Sequence, residues 1–407
     1  MPRKGEGGSF SGPLSNIAVA GIALGVLVMV MAVSILHGFQ ADIGGKVAGF
    51  GGHLTVTSFD AGPTYDAQPI VVDSALLDSL RAVEGVRHVQ CFATKGGMVK
   101  TDNQIYGILF QGLSEDYDTT FFHRCLVAGH LPAESNEVLI SSTIGRKLGL
   151  AVGDKMRTYF WQGGTAGSNA VADGTYRSRA FTVGGIYNTD LTEMDEMYVV
   201  GDLRQVQRLN GWSDSAGSMT VGGIELTVDD FDQLSEVAWR VSSILPYDLR
   251  LQTIVDSHPA LFSWLDLLNA NITLILAIMC LVSAVAIVSA LLIMIFEKSA
   301  TIGLLKALGA SGKSVRRIFL LKASRLTLLG IAIGDAVALA LSMVQSHWHL
   351  LTLDPESYSM THVPVDIDPW VYIAVSVGTL AVCMAALLLP AKYISKISPA
   401  RTMRVEN

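Results

Sequence analysis

The chain has 407 residues, of which only 16% are charged, and its formal net charge at pH 7 is −7. Soluble globular chains carry about 25% charged residues, so this composition excludes a wholly soluble protein and indicates membrane segments. The long block at 38–268, which has the composition of a soluble domain, lacks a basic patch with interleaved aromatic residues, so nucleic acid is not an expected partner.

Four apolar runs are long enough to cross a membrane, because a helix of about 20 residues spans the hydrocarbon of a bilayer. We predict spans at 16–37, 269–296, 326–346 and 370–391. The first is expected to be an uncleaved anchor rather than a signal peptide, because no small-x-small cleavage site follows it. The segment before it, 1–15, is interpreted as a short native tail or as the product of a misplaced start codon.

Lysine and arginine placement predicts the orientation of these spans. Segment 297–325 carries seven Lys and Arg residues and segment 392–407 carries four, whereas 347–369 carries none. By the positive-inside rule, the first two segments and the N-terminus are cytoplasmic. The block 38–268 and the short loop 347–369 therefore lie outside.

The block 38–268 has the pattern of an α+β domain. Alternating apolar residues indicate strands, and helical periodicity appears near its start and its end. These two βα units bracket a β-rich middle, which predicts two subdomains, one inserted into the other. Cys91 and Cys125 lie in this block and form either a disulfide or two buried free thiols.

A glycine-rich segment within this block, WQGGTAGSNAVADGTYR, occupies 161–177. It is interpreted either as a surface loop or as a long hairpin arm that contacts a partner. The candidate residues of the arm are Trp161, Gln162, Asn169 and Tyr176.

Catalytic and nucleotide-binding motifs are absent from the sequence: it has no HExxH, GxSxG, GxxxxGK[ST] or paired CxxC. We therefore predict a chain that is not an enzyme and that binds no cofactor. His347 and His349 could hold a metal, but histidine is commoner there as an interfacial residue, so no metal site is predicted.

The third predicted span carries a stripe of small residues, Gly330, Gly334 and Ala338, at four-residue spacing. Such a stripe allows a second helix to approach closely, within the chain or from a second subunit. Asp335 lies beside the stripe. It is interpreted either as a functional intramembrane carboxylate or as a protonated group at a protein interface.

The second predicted span is followed at once by FEKSATIGLLKALGAS, residues 296–311, which has the pattern of a short amphipathic helix. Its apolar face can be buried by the membrane surface, by the chain's own spans or by a separate protein. Because the chain has a large outer domain and no nucleotide motif of its own, we predict that this helix docks on a separate ATPase.

The same run resembles the E-K-x-x-x-I-G-x-x-K-A-x-G-A signature of the FtsX-like permeases of type VII ABC transporters. The chain looks closest to the lipoprotein-releasing permeases LolC and LolE. VAGIALGVLVMVMAVSILHGFQADI, KVAGFGGHLTVTSF, GDKMRTYF with RAFTVGGIYNT, and ISPARTMRVE also resemble segments of that family. The candidate ATPase-coupling residues are Glu297, Lys298, Ile302, Gly303, Leu305, Lys306, Ala307, Gly309 and Ala310.

The resemblance implies an α-helical membrane protein with four transmembrane helices in a one-plus-three order. It implies a MacB-like α+β periplasmic core domain at 38–268, with Porter-like and Sabre-like subdomains, and an FtsX-like permease domain at 269–400. The protein would lie in the bacterial inner membrane, paired with a second copy or a paralogue and with a LolD-like ATPase that binds the ATP. Segment 161–177 falls where LolC carries a Hook for a periplasmic lipoprotein carrier, although it lacks the proline expected there.

Three functions follow from this resemblance. Lipoprotein release is preferred over a MacB-type export permease, because a fused ATPase domain is missing. It is preferred over an FtsX-type regulator of a cell-wall hydrolase, because the outer block is too long. For lipoprotein cargo, we predict a cavity between paired permeases that receives the acyl chains, although ordinary lipid-facing side chains would show the same pattern. Its candidate lining is Val33, Leu36, Phe39, Leu261, Trp264, Leu265 and Leu268.

Overall fold

The computed structural model describes residues 11–62, 66–101, 104–162, 175–214, 218–354 and 360–396. The chain separates into two compact units, which are described one at a time. The helical unit comprises Met1–Ala41, Ser263–Thr352 and His362–Asn407, and the sheet unit comprises Asp42–Phe262 and Leu353–Thr361.

Along the chain, one long apolar helix precedes the strands and three long apolar helices follow them. In order, the described helices are α1 (Ser11–Gly51), α2 (Ser74–Arg81), α3 (Thr120–Cys125), α4 (Ser142–Leu148), α5 (Thr192–Met197), α6 (Leu203–Asn210), α7 (Leu234–Ile244), α8 (Ile254–Ser257), α9 (Pro259–Glu297), α10 (Ser299–Ala307), α11 (Gly312–Trp348) and α12 (Pro369–Lys396).

Four of these helices, α1, α9, α11 and α12, are long and apolar enough to cross a membrane. Each contains one of the four runs predicted from the sequence. The helices are longer than those runs: α1 continues to Gly51, and α9 begins at Pro259. The apolar runs are shorter because their length matches only the thickness of the hydrocarbon. The helix itself continues beyond the run until a capping residue or a helix breaker ends it.

The core of the helical unit is formed by apolar side chains from all four long helices. Ile22 and Val26 of α1, Leu291 of α9, Phe319 of α11 and Leu387 of α12 belong to one buried cluster. In a membrane such packing depends on close fit rather than on water exclusion, since lipid tails are as apolar as these side chains.

The sheet unit has an α+β fold, as the sequence predicted. Its strands are β1 (Leu54–Ser58), β2 (Ile70–Asp73), β3 (Val86–Lys100), β4 (Ile105–Leu113), β5 (Leu126–Gly129), β6 (Glu137–Ser141), β7 (Lys155–Gln162), β8 (Thr175–Tyr187), β9 (Tyr198–Asp202), β10 (Ser218–Val221), β11 (Gly223–Val228) and β12 (Leu249–Thr253).

Ten of these strands form one sheet in the order β12-β1-β11-β3-β4-β9-β6-β8-β5, with β7 paired to both β3 and β8. The strands β2 and β10 form a separate antiparallel pair. The pairs β4–β9 and β6–β8 are parallel, and the other pairs are antiparallel. Because hydrogen bonds connect all ten strands, a division into two subdomains stays a prediction.

The cysteines at 91 and 125 are free thiols in the structure; Cys91 is buried, as the second alternative expected, whereas Cys125 is only half-buried. Burial raises the pKa of Cys91 to about 12 and that of Cys125 to about 11. The thiolate is the form that attacks a disulfide or an alkylating agent. Burial therefore disfavours the thiolate form of both side chains near neutral pH.

Candidate functional site

The short helix α10 lies between the ends of two long apolar helices. α9 ends at Glu297, α10 occupies Ser299–Ala307, and α11 begins at Gly312. At the start of α11, the Ser311 hydroxyl accepts a hydrogen bond from the Ser314 backbone at 3.2 Å, which is a typical N-terminal cap. The segment 297–325 is thus helical over most of its length rather than an open loop.

A Schellman motif ends α10. The Ala310 N–H donates to the Leu305 carbonyl at 2.9 Å, and the Gly309 N–H donates to the Lys306 carbonyl at 3.1 Å. Gly309 has a φ of 96°, a left-handed value that residues with a Cβ rarely adopt. The Lys-Ala-x-Gly-Ala part of the family signature is therefore a helix stop, and this explains why glycine stands at that position.

One face of α10 packs against the chain itself. Ile302 is only 1% exposed and belongs to the same buried cluster as Ile295, Val315 and Phe319. Gly303 is also buried. Ile302 and Gly303 were predicted to be coupling residues, and the structure places both where they attach α10 to the helical unit.

The opposite face of α10 is apolar and exposed. Leu304 is 57% exposed and Leu308 is 78% exposed. Residues four apart lie on the same side of a helix, so these two side chains form one patch, here called the exposed leucine pair. Glu297, Lys298, Ala307 and Gly309 are exposed as well, while Leu305, Lys306 and Ala310 are half-buried.

The exposed leucine pair was missing from the residues predicted to couple to the ATPase. The family signature has an unspecified residue, x, at both positions, so the resemblance does not point to them. A helical projection places both of them opposite Ile302, but the sequence alone does not show which of the two faces is exposed. Exposed leucines on a helix whose other face is buried are typical of an interaction surface.

We predict that Gly309→Val shortens or distorts the end of α10. No atom lies within 4 Å of the position of an added Cβ, so the cost comes from the left-handed backbone alone. That cost is about 1–2 kcal/mol for a residue with a Cβ, and it should lower the melting temperature of the purified chain. Gly309→Asn should cost less, because asparagine tolerates this conformation. Equal melting temperatures for all three proteins would contradict the argument.

The stripe of small residues on α11 packs against α1 of the same chain. A Cβ added to Gly334 would lie 2.7 Å from the Ala23 carbonyl oxygen, and one added to Gly330 would lie 2.9 Å from the Ile22 Cβ. Ala338 is fully buried. At Gly330 and Gly334, α11 therefore lies against α1 of the same chain.

Asp335 lies at the contact between α11 and α12. Its Oδ2 accepts a hydrogen bond from the Ser376 hydroxyl at 2.6 Å, and its Oδ1 is buried without a partner among the described residues. Two turns along α11, the hydroxyls of Ser342 and Tyr372 lie 3.1 Å apart. Asp335 therefore lies between two helices of the same chain, and both interpretations of its role stay predictions.

Two of the residues predicted to line a cargo cavity, one on α1 and one on α9, contact each other. The rings of Phe39 and Trp264 are in edge contact with centroids 6.2 Å apart. Beside them the Gln40 amide donates to the Asn269 side-chain oxygen at 3.2 Å. Of the other predicted residues, Leu36 and Leu265 are buried, Val33 and Leu268 are half-buried, and Leu261 is a half-buried residue of the sheet unit.

The predicted arm begins as a regular hairpin of β7 and β8. Trp161 pairs with Tyr176, their rings are 5.2 Å apart, and the pairing continues to Gln162 opposite Thr175. Asn169 lies outside the described residues. Two exposed aromatic rings on a hairpin stem are typical of a contact surface, and the role of the arm stays a prediction.

The histidines near the end of α11 include one close pair: the rings of His349 and His362 have centroids 4.2 Å apart. The described part of the chain contains no group of three or more His, Cys, Asp or Glu side chains that could hold a metal ion.

Comparison with known proteins gives two family matches and several relatives. Residues 15–244 match the MacB-like periplasmic core domain, and residues 273–399 match the FtsX-like permease C-terminal domain. A lipoprotein-releasing system transmembrane protein LolC from Xylella fastidiosa is 25% identical, covering 97% of this chain and 94% of its own. A LolE protein from Haemophilus influenzae is 22% identical, covering 96% and 94%. The crystal structure of the periplasmic region of MacB from Actinobacillus actinomycetemcomitans covers 53% of this chain and 95% of its own, with 12% identity and a TM-score of 0.35.

Proposed function

This chain belongs to the family of permeases with a MacB-like periplasmic core domain, and from that premise we propose that it releases lipoproteins from a bacterial inner membrane. The resemblance predicted from the sequence is confirmed by the two family matches and by relatives named LolC and LolE over nearly the whole chain. An ABC transporter permease is the membrane subunit of the transporter and is not itself catalytic. The proposal extends to this chain the role that the names of these relatives give.

The exposed leucine pair supports a docking role for α10. Ile302 attaches the helix to the core, Gly309 ends it, and Leu304 with Leu308 leaves an apolar patch uncovered. In this proposal a LolD-like ATPase covers the patch and carries the ATP, while this chain binds no nucleotide. Movement of the ATPase then reaches α9 and α11 directly, because α10 lies between them in the chain.

The proposed orientation follows from charge. Segment 297–325, which contains α10, carries seven Lys and Arg residues and would face the cytoplasm. The block 38–268 would then lie in the periplasm, with one span before it and three after it. A second copy or a paralogue would complete the membrane part of the transporter.

The proposed cargo path lies at the outer ends of α1 and α9. Burial of one acyl chain contributes about 0.8 kcal/mol per CH₂, so extraction of a lipoprotein is strongly uphill and requires both ATP and a receiving apolar surface. Phe39 and Trp264 supply aromatic surface there. Leu36 and Leu265 are buried within the chain, so in this proposal they support the lining rather than touch the acyl chains.

The arm of β7 and β8 is the proposed contact for a soluble periplasmic carrier. Trp161 and Tyr176 would provide the apolar part of that contact from the hairpin stem. Replacement of both by serine would then reduce transfer to the carrier without reducing ATP hydrolysis by the complex.

Reconstitution tests the proposed function. The chain, its partner permease and a LolD-like ATPase are placed in liposomes with a radiolabelled triacylated lipoprotein, and release into the soluble carrier fraction is measured with and without ATP. ATP-dependent release that fails for an ATPase mutant unable to hydrolyse ATP is the expected result. Export of an unlipidated peptide without lipoprotein release would favour the MacB-type function, and activation of a cell-wall hydrolase alone would favour the FtsX-type function.

A further inference from the structure

A carboxyl group is buried on an inner strand of the ten-stranded sheet, and its hydrogen-bond partners among the described residues are uncharged. Glu225 lies on β11, between β1 and β3, and is only 2% exposed. Its Oε2 accepts hydrogen bonds from the Gln90 amide and from the Tyr117 hydroxyl, each at 2.9 Å. These are its partners among the described residues, and both are uncharged. An ionised carboxylate in such a place is costly unless it is paired.

Glu225 also lines a cavity of about 120 Å³ in the sheet unit. Gln111 lines the same cavity and is 2% exposed, and its buried Oε1 has no hydrogen-bond partner within the part of the chain that the structure describes. Both hydrogen bonds to Glu225 end on Oε2, so Oε1 is the oxygen available to carry a proton. The cavity therefore connects two groups. One is a buried carboxyl group whose neutral, protonated form costs less to bury, and the other is a side-chain oxygen that accepts no described hydrogen bond.

The Tyr117 hydroxyl has two acceptors but a single proton. It lies 2.9 Å from Glu225 Oε2 and 3.0 Å from the backbone carbonyl oxygen of Phe50. Phe50 is in the last turn of α1, the helix that contains the first apolar span. Hydrogen bonds to a charged acceptor are roughly twice as strong as neutral ones. An ionised Glu225 would therefore take the Tyr117 proton away from Phe50, and a neutral Glu225 would return it.

We propose that Glu225 is a proton-binding site that controls how the end of α1 is held. With the proton on Oε1, the carboxyl group donates to the cavity, directly or through water, and Tyr117 donates to the Phe50 carbonyl. Without the proton, Tyr117 donates to the carboxylate, and the last turn of α1 loses that bond. The ligand is the proton, and the site works independently of the cargo that the transporter carries.

The burial of Glu225 places the loss of its proton near neutral pH. Burial raises the pKa of Glu225 to about 7, against the opposing effect of the hydrogen bonds from Gln90 and Tyr117. Among the other titratable groups, burial raises the pKa of Tyr117 well above its usual value, raises that of Cys91 to about 12, and lowers that of His258. None of these three therefore supplies a charge to balance the carboxylate. The remaining charged and titratable groups on the surrounding elements are of both signs: Lys46, His53, Arg87, His88, Lys95, Lys100, His123 and Arg124 are basic, and Asp116, Asp118, Glu193 and Asp195 are acidic. Lys95 pairs with Asp66, and Lys46 pairs with Asp42 and Asp190. The described hydrogen bonds to Glu225 come from the uncharged Gln90 and Tyr117.

The sign of the effect on stability follows from this shift. The folded chain keeps a proton that the unfolded chain releases near the ordinary glutamate value of 4.5. The stabilisation is fully present below 4.5, declines as the pH rises from 4.5 toward 7, and is lost above it. Glu225→Gln should remove this part of the pH dependence and should melt higher than the natural protein in alkaline buffer.

Infrared difference spectroscopy tests the proton directly. The full chain in lipid nanodiscs is compared at about pH 6 and about pH 8.5, on either side of the expected transition. A carboxylic acid C=O band that disappears with rising pH is expected in the natural protein and absent in Glu225→Gln. Glu236→Gln changes an exposed glutamate and should leave the band unchanged. The same band in Glu225→Gln would overturn the proposal.

Hydrogen exchange tests the connection to α1. Amide exchange at 47–52, corrected for the intrinsic effect of pH, should be about 3- to 10-fold faster at the higher pH, as expected for loss of one hydrogen bond. Glu225→Gln should stay slow at both values, and Tyr117→Phe should be fast at both. Equal corrected rates at the two pH values in the natural protein would overturn the connection, even if Glu225 does bind the proton.

Discussion

Replacing both residues of the exposed leucine pair with glutamate should abolish binding of the ATPase while the chain remains folded. Leu304 and Leu308 are 57% and 78% exposed, so the folded chain loses little packing. Burial of a leucine side chain at an interface contributes about 1.5–3 kcal/mol, and a charge placed there adds a desolvation cost. For the two residues together, we expect a loss of affinity of at least about 100-fold.

Copurification in detergent and stimulation of ATP hydrolysis measure this effect. Leu304→Met together with Leu308→Met is the matched control, because methionine keeps apolar surface of similar size and should retain binding. Lys306→Glu tests the charged part of the same helix and should weaken binding by a smaller factor. Normal copurification of the glutamate variant would show that α10 docks elsewhere or not at all.

Gly334→Leu should disrupt the helical unit itself. Even the first atom of the new side chain would lie 2.7 Å from the Ala23 carbonyl oxygen and 2.9 Å from the Val26 Cβ. Backbone atoms cannot move aside as a flexible side chain can, so α1 and α11 would have to separate. Overpacking of this kind costs about 1–3 kcal/mol and occasionally more. We expect a lower yield and a lower melting temperature in detergent.

The chain provides a matched control for this substitution. Gly378 lies in another apolar helix, α12, and no atom lies within 4 Å of the position of an added Cβ. Gly378→Leu introduces the same side chain into open space and should leave the melting temperature nearly unchanged. Identical melting of the two variants would mean that α1 does not pack on the stripe of α11.

Helix α1 takes part in two of the contacts described above. α1 is fitted to α11 at Gly330 and Gly334, and its last turn carries the carbonyl of Phe50 that Tyr117 approaches. α11 follows α10 directly through the cap at Ser311. A change that loosens α1 at either place should therefore lower the stability of the unit in which it lies.

Several features of this protein could be predicted from local sequence alone. The four apolar helices follow from runs of about 20 uncharged residues, because the length of hydrocarbon to be crossed is a property of the bilayer. The α+β character of the outer block follows from the alternation of apolar residues along single segments. The stop of α10 follows from one glycine, because only the backbone conformation of that residue is involved. Each of these depends on neighbours in the chain.

Other features depended on contacts between distant segments. The sequence marks Ile302 and Leu304 equally as apolar, and only packing against Val315 and Phe319 shows that the first is buried and the second exposed. The stripe at Gly330 and Gly334 predicts a close helix, but not that α1 of the same chain fills it.

Glu225 shows the largest gap between sequence and structure. In GIELTV it looks like any polar residue that alternates toward solvent, and nothing local indicates burial. Its environment is formed by Gln90, Tyr117 and Phe50, which lie 135, 108 and 175 positions away along the chain. Desolvation depends on everything that surrounds a group in space, so the tertiary structure alone could decide that this carboxyl group binds a proton near neutral pH.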